Sequence, residues 1–377
     1  MKASVAVLTY NQKETLEACL LSLTHQLLEE GDCFEVIIVD NGSTDGTKEM
    51  IANFLAGFPI IYRFIPKSEH SSRAAARNQG IASATGDIII FLDGDQIAGA
   101  HFIYEHLRAH KFSSNKLVIG LRRYIDQGTI NLESLGTEFD VAKLPPSDVD
   151  ERYWLMERFS ENANVFRTAW HLFFTCNVSV GREQLIRVGM FNEEFKGWGL
   201  EDSELGYRLQ LDGGLFVFNK NALVYHVYHS SDFNENRYVG WKTNLDHFIS
   251  IHPHFEVKAQ TILAEFFNPD IRNSWWDCYV RFENVVRAYR GYDGNTPVSI
   301  HVVYQNSPEV TKAIVLEAAS REIVVIDKTT QSDLDLIAQS ICEAYNVLYY
   351  KQPTEDKLIE LYRMLSARGI WKQHIYN

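Results

Sequence analysis

Four short apolar segments in the first hundred residues, separated by amphipathic segments, constrain the fold more than any other feature of the sequence. They are residues 5–9, 36–40, 60–65 and 88–92. Each is mainly apolar rather than alternating apolar and polar, which is typical of strands buried on both faces of a parallel sheet. The segments therefore predict four parallel strands inside an α/β domain.

The segments between these strands carry helical patterns. In the first, leucines recur at three- and four-residue spacing, at Leu16, Leu20, Leu23 and Leu27. Asn11 stands at the expected N-cap of this helix, three residues before Glu14. Further helices are predicted to open at residues 43–46 and to run over about residues 72–84. The alternation predicts a doubly wound, mostly parallel sheet, whose ligand binds beyond the carboxyl ends of the strands.

The remaining chain predicts further parts. Residues 173–180 add a strand to the first domain, and residues 241–296 are aromatic and helical in pattern. An α/β pattern returns after the turn residues at 293–297, with strands at 298–304, 323–326 and 347–350. We therefore predict three parts: a large domain over 1–240, a helical connector over 241–296 and a small accessory α/β domain over 297–377.

The composition excludes several classes of protein. Lys and Arg total 36 against 49 Asp and Glu, a net charge of -13, whereas a nucleic-acid binder needs a basic face. Hydrophobic residues make up 46% and charged residues 23%, as in globular rather than disordered chains. We therefore expect a soluble protein without a nucleic-acid partner.

The cysteines and the N-terminus predict the compartment. The five cysteines are widely spread and form no C-x-x-C pair, so neither a disulfide framework nor a zinc knuckle is indicated. The apolar run at residues 3–8 is too short for a signal peptide. No stretch reaches the roughly 18 to 20 apolar residues of a membrane span. The sequence thus predicts a cytoplasmic protein without a transmembrane segment.

The first group of residues with chemical potential is Asp93-Gly94-Asp95, directly after the fourth strand. Two carboxylates separated by a flexible glycine can face one hard cation, Mg²⁺ or Mn²⁺, which in turn would hold a diphosphate. The same residues are common turn formers, so the pattern alone favours neither interpretation.

The second group joins Trp198 to the acids Glu201 and Asp202 at a predicted helix start. Asp202, near a helix N-terminus and flanked by Glu201, could act as a general base toward a hydroxyl or thiol. Acidic residues also cap helix starts, which is worth about 1 kcal/mol. Taken alone, the pattern favours capping.

The third group is His226, at the end of the apolar run 222–225. An imidazole at a strand end could complete a metal site begun by Asp95, although a lone histidine is more often structural. His229 would point to the opposite face of a strand, so it is not assigned as a ligand.

Polar side chains also stand at the ends of the first two strands and open the third helix. They are Tyr10, Asn11, Asp40, Arg73 and Arg77. Asp40 can accept the imide N–H of uracil, and an arginine can steady the base or the phosphates. Strand-end capping by Asp40 and surface salt bridges of the arginines are the alternatives.

Taken in order, these stretches resemble the metal-dependent nucleotide-sugar glycosyltransferases of family 2, on the GT-A fold. The matching stretches are residues 7–11, 37–47, 73–80 and 93–95. Residues 197–202, 207–209 and 225–226 are similar to the galactosyltransferase-like half shared by chondroitin-type polymerases, β-1,4-galactosyltransferases and polypeptide GalNAc-transferases. In those enzymes a metal-binding histidine follows the acidic motif by about two dozen residues, the separation of His226 from Asp202.

The resemblance implies a role for each site residue. Six residues would bind the donor nucleotide: Thr9, Tyr10, Asn11, Asp40, Arg73 and Asp93. Asp95 and His226 would bind Mn²⁺ or Mg²⁺, and Asp93 would contact the ribose or the metal. Asp202 would be the catalytic base and Glu201 would hold the reacting sugar or the acceptor. Trp198 would line the cleft between donor and acceptor.

The implied activity is inverting transfer of a hexosyl or N-acetylhexosaminyl group from a UDP-sugar to a hydroxyl or thiol. The acceptor would be a glycan, a peptide or a small molecule. Asn41 replaces the second aspartate usual in the family. No Q-x-x-R-W motif follows the acidic motif and no membrane helix is predicted, so a membrane-embedded processive synthase is not expected.

Two other functions are weighed against this one. A sugar-nucleotidyltransferase would carry a G-x-G-x-R loop after the first strand, where this chain has no glycine. A catalytically inactive nucleotide-sugar-binding module would keep the fold without turnover. The sequence leaves the donor sugar, the acceptor and the formation of a homo-oligomer open.

Overall fold

The chain folds into two compact units in a computed structural model. The described residues are 1–68, 72–111, 115–125, 130, 132, 139–158, 163–227, 235–267, 274–290, 298–318, 323–329, 347–355, 358–359 and 371–377. Unit 1 comprises Met1–Tyr153 and Trp170–Pro253, and unit 2 comprises Trp154–Ala169 and His254–Asn377. The predicted division at residues 240 and 296 has other boundaries and stays a prediction. Its turn at 293–297 lies outside the described residues.

Unit 1 is built on a mixed sheet. Its strands β1 to β9 are Lys2–Thr9, Cys33–Asp40, Ile60–Phe64, Ile88–Asp93, Gln96–Ala98, Lys116–Ile125, Ser147–Val149, Asn177–Gly181 and Leu215–His226. Their order within the described residues is β3-β2-β1-β4-β8-β6-β9-β5, with β7 paired to β6. The first four strands in this order are parallel, and β8 is antiparallel to both neighbours. The predicted α/β fold with a mostly parallel sheet is confirmed.

Eight α-helices lie in the described residues up to Ile251. Helices α1 to α8 are Lys13–Thr24, Thr47–Asn53, Arg73–Ser83, Phe102–His110, Glu151–Arg158, Arg182–Arg187, Glu201–Leu211 and Glu235–Ile251. Helix α5 continues from unit 1 into unit 2 after Tyr153. The leucines of α1 form one core with the central strands, including Val5, Ile38 and Ile90, each fully buried. Burial of such a side chain stabilises the folded state by about 1.5–3 kcal/mol. The apolar segments seen in the sequence therefore stabilise the sheet.

The start of α1 differs from the prediction. Gln12, not Asn11, occupies the N-cap, and its side chain makes no capping hydrogen bond. Asn11 has a left-handed φ of 49°. Its Oδ1 accepts a hydrogen bond from the Thr44 backbone N–H at 2.8 Å. Asn11 therefore joins the loops after β1 and β2 instead of capping the helix.

Strands β6 and β9 run parallel with a register shift. Gly120 pairs with Asn219 whereas Leu121 pairs with Leu223, so β9 advances four positions while β6 advances one. The side chain of Asn177 occupies this bulge and donates to the Leu121 carbonyl at 3.0 Å. A Cβ atom on Gly120 would lie 2.3 Å from Asn177, so this position requires glycine.

Unit 2 contains a second, parallel sheet. Strands β10 to β13 are Val298–Val303, Ile323–Asp327, Val347–Lys351 and Trp371–Tyr376, in the order β12-β11-β10-β13. Its helices α9 to α11 are Phe255–Lys258, Trp275–Arg290 and Pro308–Ala318. The strands predicted at 298–304, 323–326 and 347–350 are therefore confirmed to within one residue at each end.

The sequence predicts neither a transmembrane segment nor a disulfide framework. Among the described residues, no helix combines the length and the apolar character that crossing a membrane requires. Four cysteines lie in described segments, at positions 19, 33, 176 and 278, and all four are free thiols.

Candidate active site

The carboxyl ends of three neighbouring strands of unit 1 meet at one edge of the sheet. Thr9 at the end of β1 is paired with Asp40 at the end of β2, and Leu8 is paired with Asp93 at the end of β4. The polar residues predicted to bind a nucleotide are thus brought together by the register of the parallel strands. This edge is where doubly wound sheets bind their ligands.

Asp40 organises the loop after β2. It is fully buried, and its Oδ1 accepts the Ser43 backbone N–H at 2.7 Å. The Tyr62 hydroxyl donates to Asp40 Oδ2 at 2.8 Å. Burial, with the hydrogen bond to Asp40, raises the pKa of Tyr62, so the phenol stays protonated. Each oxygen of Asp40 therefore accepts one hydrogen bond from the protein. The remaining lone pairs of the carboxylate are available to accept a hydrogen bond from the nucleobase of a ligand.

Two buried oxygens beside these strand ends make no hydrogen bond to the described residues. They are Thr9 Oγ1 and Asn41 Oδ1. Buried polar atoms are nearly always hydrogen-bonded. The Thr9 hydroxyl therefore suits a ligand group that donates or accepts, and Asn41 Oδ1 suits a ligand group that donates. Tyr10 is 46% exposed, and Lys67 Nζ lies 4.3 Å above its ring centroid.

Asp95 and His226 lie side by side. The distance from His226 Nε2 to Asp95 Oδ2 is 3.5 Å, and Gln12 Nε2 donates to the same oxygen at 3.4 Å. The Asp95 side chain is mostly buried. A carboxylate oxygen and an imidazole nitrogen at this spacing fit a transition-metal ion such as Mn²⁺ better than Mg²⁺, which prefers oxygen ligands.

The bulge in β9 determines the direction of His226. His226 pairs with Tyr124 of β6, four positions beyond Gly120, which itself pairs with Asn219. Paired residues share a face, so His226 shares that of Asn219, although it lies seven residues further on. An unbroken strand would place it on the opposite face, because side chains alternate.

Arg77 joins the turn after β4 to the acidic motif. Its Nη1 donates to Glu201 Oε1 at 2.9 Å, and its Nη2 lies 3.6 Å from Asp93 Oδ1. Arg77 is 7% exposed and Glu201 is 4% exposed, so this is a buried ion pair rather than a surface one. The predicted alternative of surface salt bridging is thus wrong for Arg77. Arg73 is exposed in the first turn of α3, and its positive charge favours ionised Asp93.

The loop before α7 is pressed against α8. Gly197 packs so closely on Gly240 that a Cβ atom would lie 2.6 Å from the Gly240 carbonyl oxygen. Asn244 of α8 donates to the Gly199 carbonyl at 2.7 Å. Leu200, the N-cap of α7, has a φ of 71°, which is unfavourable for a residue with a side chain. The acids of the next turn are therefore positioned by a strained, closely packed loop.

Asp202 combines partial burial with a repelling neighbour. Burial and the charge of Glu201 raise the pKa of Asp202 to about 7, while Arg77 acts in the lowering direction. Its oxygens accept the backbone N–H groups of Ser203 at 2.8 Å and Thr175 at 3.4 Å. A pKa near 7 suits a general base at neutral pH.

The second oxygen of Glu201 has a different environment. Glu201 Oε2 is buried and makes no hydrogen bond to the described residues, as is true of Thr175 Oγ1. Trp198 is partly buried, and the Arg237 guanidinium lies 5.7 Å from its ring. Acceptor atoms and an aromatic surface in the same region suit a sugar, which offers hydroxyl groups and C–H faces.

Two residues of this region, Gln12 and Thr175, were not predicted from the sequence. Gln12 was missed, although it follows β1 by three positions at the binding edge, a location that could have revealed it. Thr175 was also missed, because nothing near it in the sequence indicates that its N–H meets Asp202. Asp93 does not complete a three-residue metal cluster with Asp95 and His226 within the described residues. Its role as a metal ligand stays a prediction.

Two known families match the part of the chain that carries these motifs. Residues 4–186 match glycosyl transferase family 2, and residues 158–230 match the N-terminal domain of galactosyltransferase. Together the two matches include the strand ends, Asp95 and the acidic motif through His226. The chain carries a glycosyltransferase family 2 domain. The resemblance drawn from the motifs, including the galactosyltransferase-like second part, is confirmed.

Three individual proteins illustrate the relationship. An uncharacterized glycosyltransferase of Bacillus subtilis, YfnE, is 33% identical over 263 residues, which cover 62% of this chain and 66% of the relative. Validoxylamine A glucosyltransferase of Streptomyces hygroscopicus subsp. jinggangensis is 28% identical, over 98% of this chain and 87% of the relative. The solved structure of S. aureus TarS has a TM-score of 0.50 at 16% identity, over 71% of this chain and 44% of that chain. The fold is that of the GT-A glycosyltransferases.

Proposed function

We propose that this glycosyltransferase is an inverting, metal-dependent enzyme that transfers a hexosyl or N-acetylhexosaminyl group from a UDP-sugar. The observation that supports it most directly is the bridge from Asp93 through Arg77 to Glu201. It brings the donor-binding turn and the acidic motif, more than a hundred residues apart in sequence, into one cleft. Donor and acceptor groups can then be held in line, which supplies much of the rate acceleration.

The donor nucleotide lies at the strand ends in this proposal. Thr9, Asn11 and Asp40 surround the base and ribose, and Tyr10 offers an exposed aromatic face. Arg73 provides positive charge at the opening of α3. Asp93 contacts the ribose, since it lies at the end of β4 beside Arg77.

Asp95 and His226 hold the divalent ion, for which Mn²⁺ is the best fit. When bound, the ion offsets negative charge on the diphosphate leaving group. Gln12 keeps the Asp95 carboxylate in place through its hydrogen bond. Asp93, Asp95, Glu201 and Asp202 bring four carboxylates to this cleft, so a diphosphate requires the positive charge of the ion and of the arginines.

Asp202 removes the proton of the acceptor hydroxyl or thiol as that atom attacks the anomeric carbon. The second oxygen of Glu201 accepts a hydroxyl of the reacting sugar or of the acceptor, and Trp198 lines the cleft. The attack comes from the face opposite the leaving group, so the product has inverted anomeric configuration.

The relative that extends over 98% of the chain is named for transfer of glucose to validoxylamine A. Its name makes glucose the first sugar to test, as UDP-glucose under the proposed UDP dependence, with small molecules as the first acceptors. Glycan and peptide acceptors remain the other two classes.

The test is a thermal-shift panel of nucleotide-sugars with and without Mn²⁺, followed by a UDP-release assay with acceptor mixtures. Asp202→Asn is expected to lower turnover by about 10²–10⁴-fold, the usual contribution of a general base. Donor binding should be retained, because the strand-end residues are unchanged. Asp246→Asn is the control, since Asp246 lies on the exposed side of α8 and its side chain is 62% exposed.

The outcomes separate the alternatives. Loss of both turnover and donor binding in Asp202→Asn would show a structural role for this carboxylate. A wild-type protein that binds a nucleotide-sugar but releases no nucleotide, with or without acceptor, would be an inactive binding module. Stabilisation by a UDP-sugar that is unchanged by Mn²⁺ and by His226→Gln would contradict the metal site.

A further inference from the structure

Unit 2 contains a cluster of metal-ligating side chains outside the proposed active site. His301 lies on β10, Glu317 near the end of α11 and His374 on β13. Each offers one ligand atom, and the three atoms lie within 4.8 Å of one another. Among the described residues, this is the group of three that meets that spacing.

The sheet register brings the two histidines together. His301 and His374 are directly paired between the parallel strands β10 and β13, so both imidazoles point to one face of the sheet. Their rings are stacked, with centroids 4.8 Å apart and an interplanar angle of 13°. Helix α11 brings Glu317 to the same face.

Both histidines face one carboxylate oxygen. The Nε2 atoms of His301 and His374 lie 3.0 Å and 3.4 Å from Glu317 Oε2. Both Nε2 atoms are buried, yet neither has a hydrogen bond of good geometry to the described residues. An unsatisfied buried polar atom costs about 1–3 kcal/mol. A cation bound by all three side chains would satisfy both nitrogens at once.

Two neighbouring side chains, Tyr376 and Ser299, contact the cluster from outside. His301 Nδ1 lies 2.9 Å from the Tyr376 hydroxyl, and the Ser299 hydroxyl donates to Glu317 Oε1 at 2.6 Å. If Nδ1 carries the proton and donates to Tyr376, the lone pair of Nε2 points into the cluster.

We propose that His301, Glu317 and His374 bind a Zn²⁺ ion that ties α11 to β10 and β13. Two imidazole nitrogens and one carboxylate oxygen suit zinc, whereas Mg²⁺ and Ca²⁺ prefer oxygen ligands alone. Three protein ligands leave a fourth tetrahedral position for water. The His374 side chain is 29% exposed, so solvent reaches the site. This site is independent of the proposed transfer chemistry.

The test is zinc binding by the full chain, purified without a histidine tag and freed of metal with a chelator. Metal content is measured by mass spectrometry after dialysis, and Co²⁺ substitution is followed by its visible absorption. We expect one equivalent of zinc in the Asp95→Asn variant, in which the proposed active-site metal position is disabled. We also expect a higher thermal midpoint with zinc.

Two variants remove ligands in the Asp95→Asn background: His374→Gln and Glu317→Gln. Each should lower zinc affinity at least tenfold and abolish the Co²⁺ absorption. His101→Gln is the matched control, because His101 is an exposed histidine of unit 1. Circular dichroism establishes that each variant is folded.

Three results would overturn the proposal. The first is an Asp95→Asn protein that retains no zinc and shows no Co²⁺ absorption. The second is a His374→Gln variant that binds zinc as tightly as its parent. The third is zinc affinity lowered equally by His101→Gln, which would indicate nonspecific surface binding.

Discussion

At the scale of single residues, the proposed active site holds several carboxylates around one buried arginine. Arg77 is buried between Asp93 and Glu201, and Asp202 lies next to Glu201. Burial raises the pKa of both Asp93 and Asp202. A buried arginine shared between two acids is typically costly to remove, about 3–5 kcal/mol, because the acids are left uncompensated. The site therefore depends on one cation both for stability and for setting the proton affinity of the proposed base.

Asp202 should destabilise the folded protein at neutral and higher pH. Its pKa rises from 3.8 to about 7 on folding, so the folded state binds the proton more tightly than the unfolded state. Stability then falls as pH rises from about 4 to 7 and stays lower above that range. Asp202→Asn, which cannot ionise, should gain about 3 kcal/mol relative to wild type between pH 5 and pH 8.

Urea unfolding at pH 5 and pH 8 measures this difference. The exposed Asp246→Asn variant is the control in the same measurement. An Asp202→Asn effect that does not change between pH 5 and pH 8 would mean that Asp202 ionises at an ordinary pKa.

Arg77 should control the acid limb of the pH–rate profile. Its charge acts to lower the pKa of Asp202, so Arg77→Met should move the acid limb of kcat/KM upward by about one pH unit. Arg77→Lys keeps the charge and should move the limb less, although it loses the geometry of the guanidinium. Equal profiles in the two variants would show that Arg77 acts only by packing.

At the scale of elements, the loop at residues 197–200 and helix α8 form one packed structure. A Cβ atom on Gly197 would clash with the Gly240 backbone, and the Asn244 side chain donates a hydrogen bond to the Gly199 carbonyl. The orientation of α7, which carries Glu201 and Asp202, depends on these contacts. A small change in the loop should therefore affect catalysis without touching any charged group.

Gly197→Ala tests this dependence. The new Cβ would lie 2.6 Å from the Gly240 carbonyl oxygen, which is backbone and cannot move aside cheaply. We expect a loss of about 1–3 kcal/mol in stability and a lower kcat, measured by thermal unfolding and the UDP-release assay. Gly57→Ala is the control, since a Cβ atom at Gly57 would have no described atom within 4 Å. A Gly197→Ala enzyme indistinguishable from Gly57→Ala would refute the packing argument.

Local sequence patterns predicted the strands and the site residues to different extents. The apolar segments predicted the carboxyl ends of β1, β2 and β4 to within one residue, because burial on both faces leaves a pattern in the sequence itself. Strands β1 and β2 begin three residues earlier than predicted. Asn11 was misassigned as a cap, since its partner, Thr44, lies 33 residues away. The buried state of Arg77 was equally invisible, because its partner Glu201 lies 124 residues away.

At the scale of the whole molecule, the chain presents two units, each with its own sheet and its own proposed metal site. Asp95 and His226 belong to unit 1, and His301, Glu317 and His374 belong to unit 2. Ligand binding stabilises the state that binds, by a free energy that grows with the logarithm of ligand concentration over Kd. Each ligand should thus slow amide exchange around its own site.

Hydrogen exchange followed by mass spectrometry checks this expectation. UDP with Mn²⁺ should protect residues 9–11, 40–43 and 93–96, and zinc should protect residues 298–303 and 371–376. Zinc protection at 93–96 without protection at 371–376 would place the zinc site in unit 1 and contradict the assignment to His301 and His374.

The bulge between β6 and β9 limits how this enzyme can be recombined with its relatives. Because Asn177 fills the bulge and β9 ends at His226, the position of the histidine depends on three segments of chain. A chimera in which a straight strand replaced β9 would keep every residue proposed for catalysis. Its His226 imidazole would nevertheless point away from Asp95. Grafts for altered donor preference must therefore transfer β6, Asn177 and β9 as a single block.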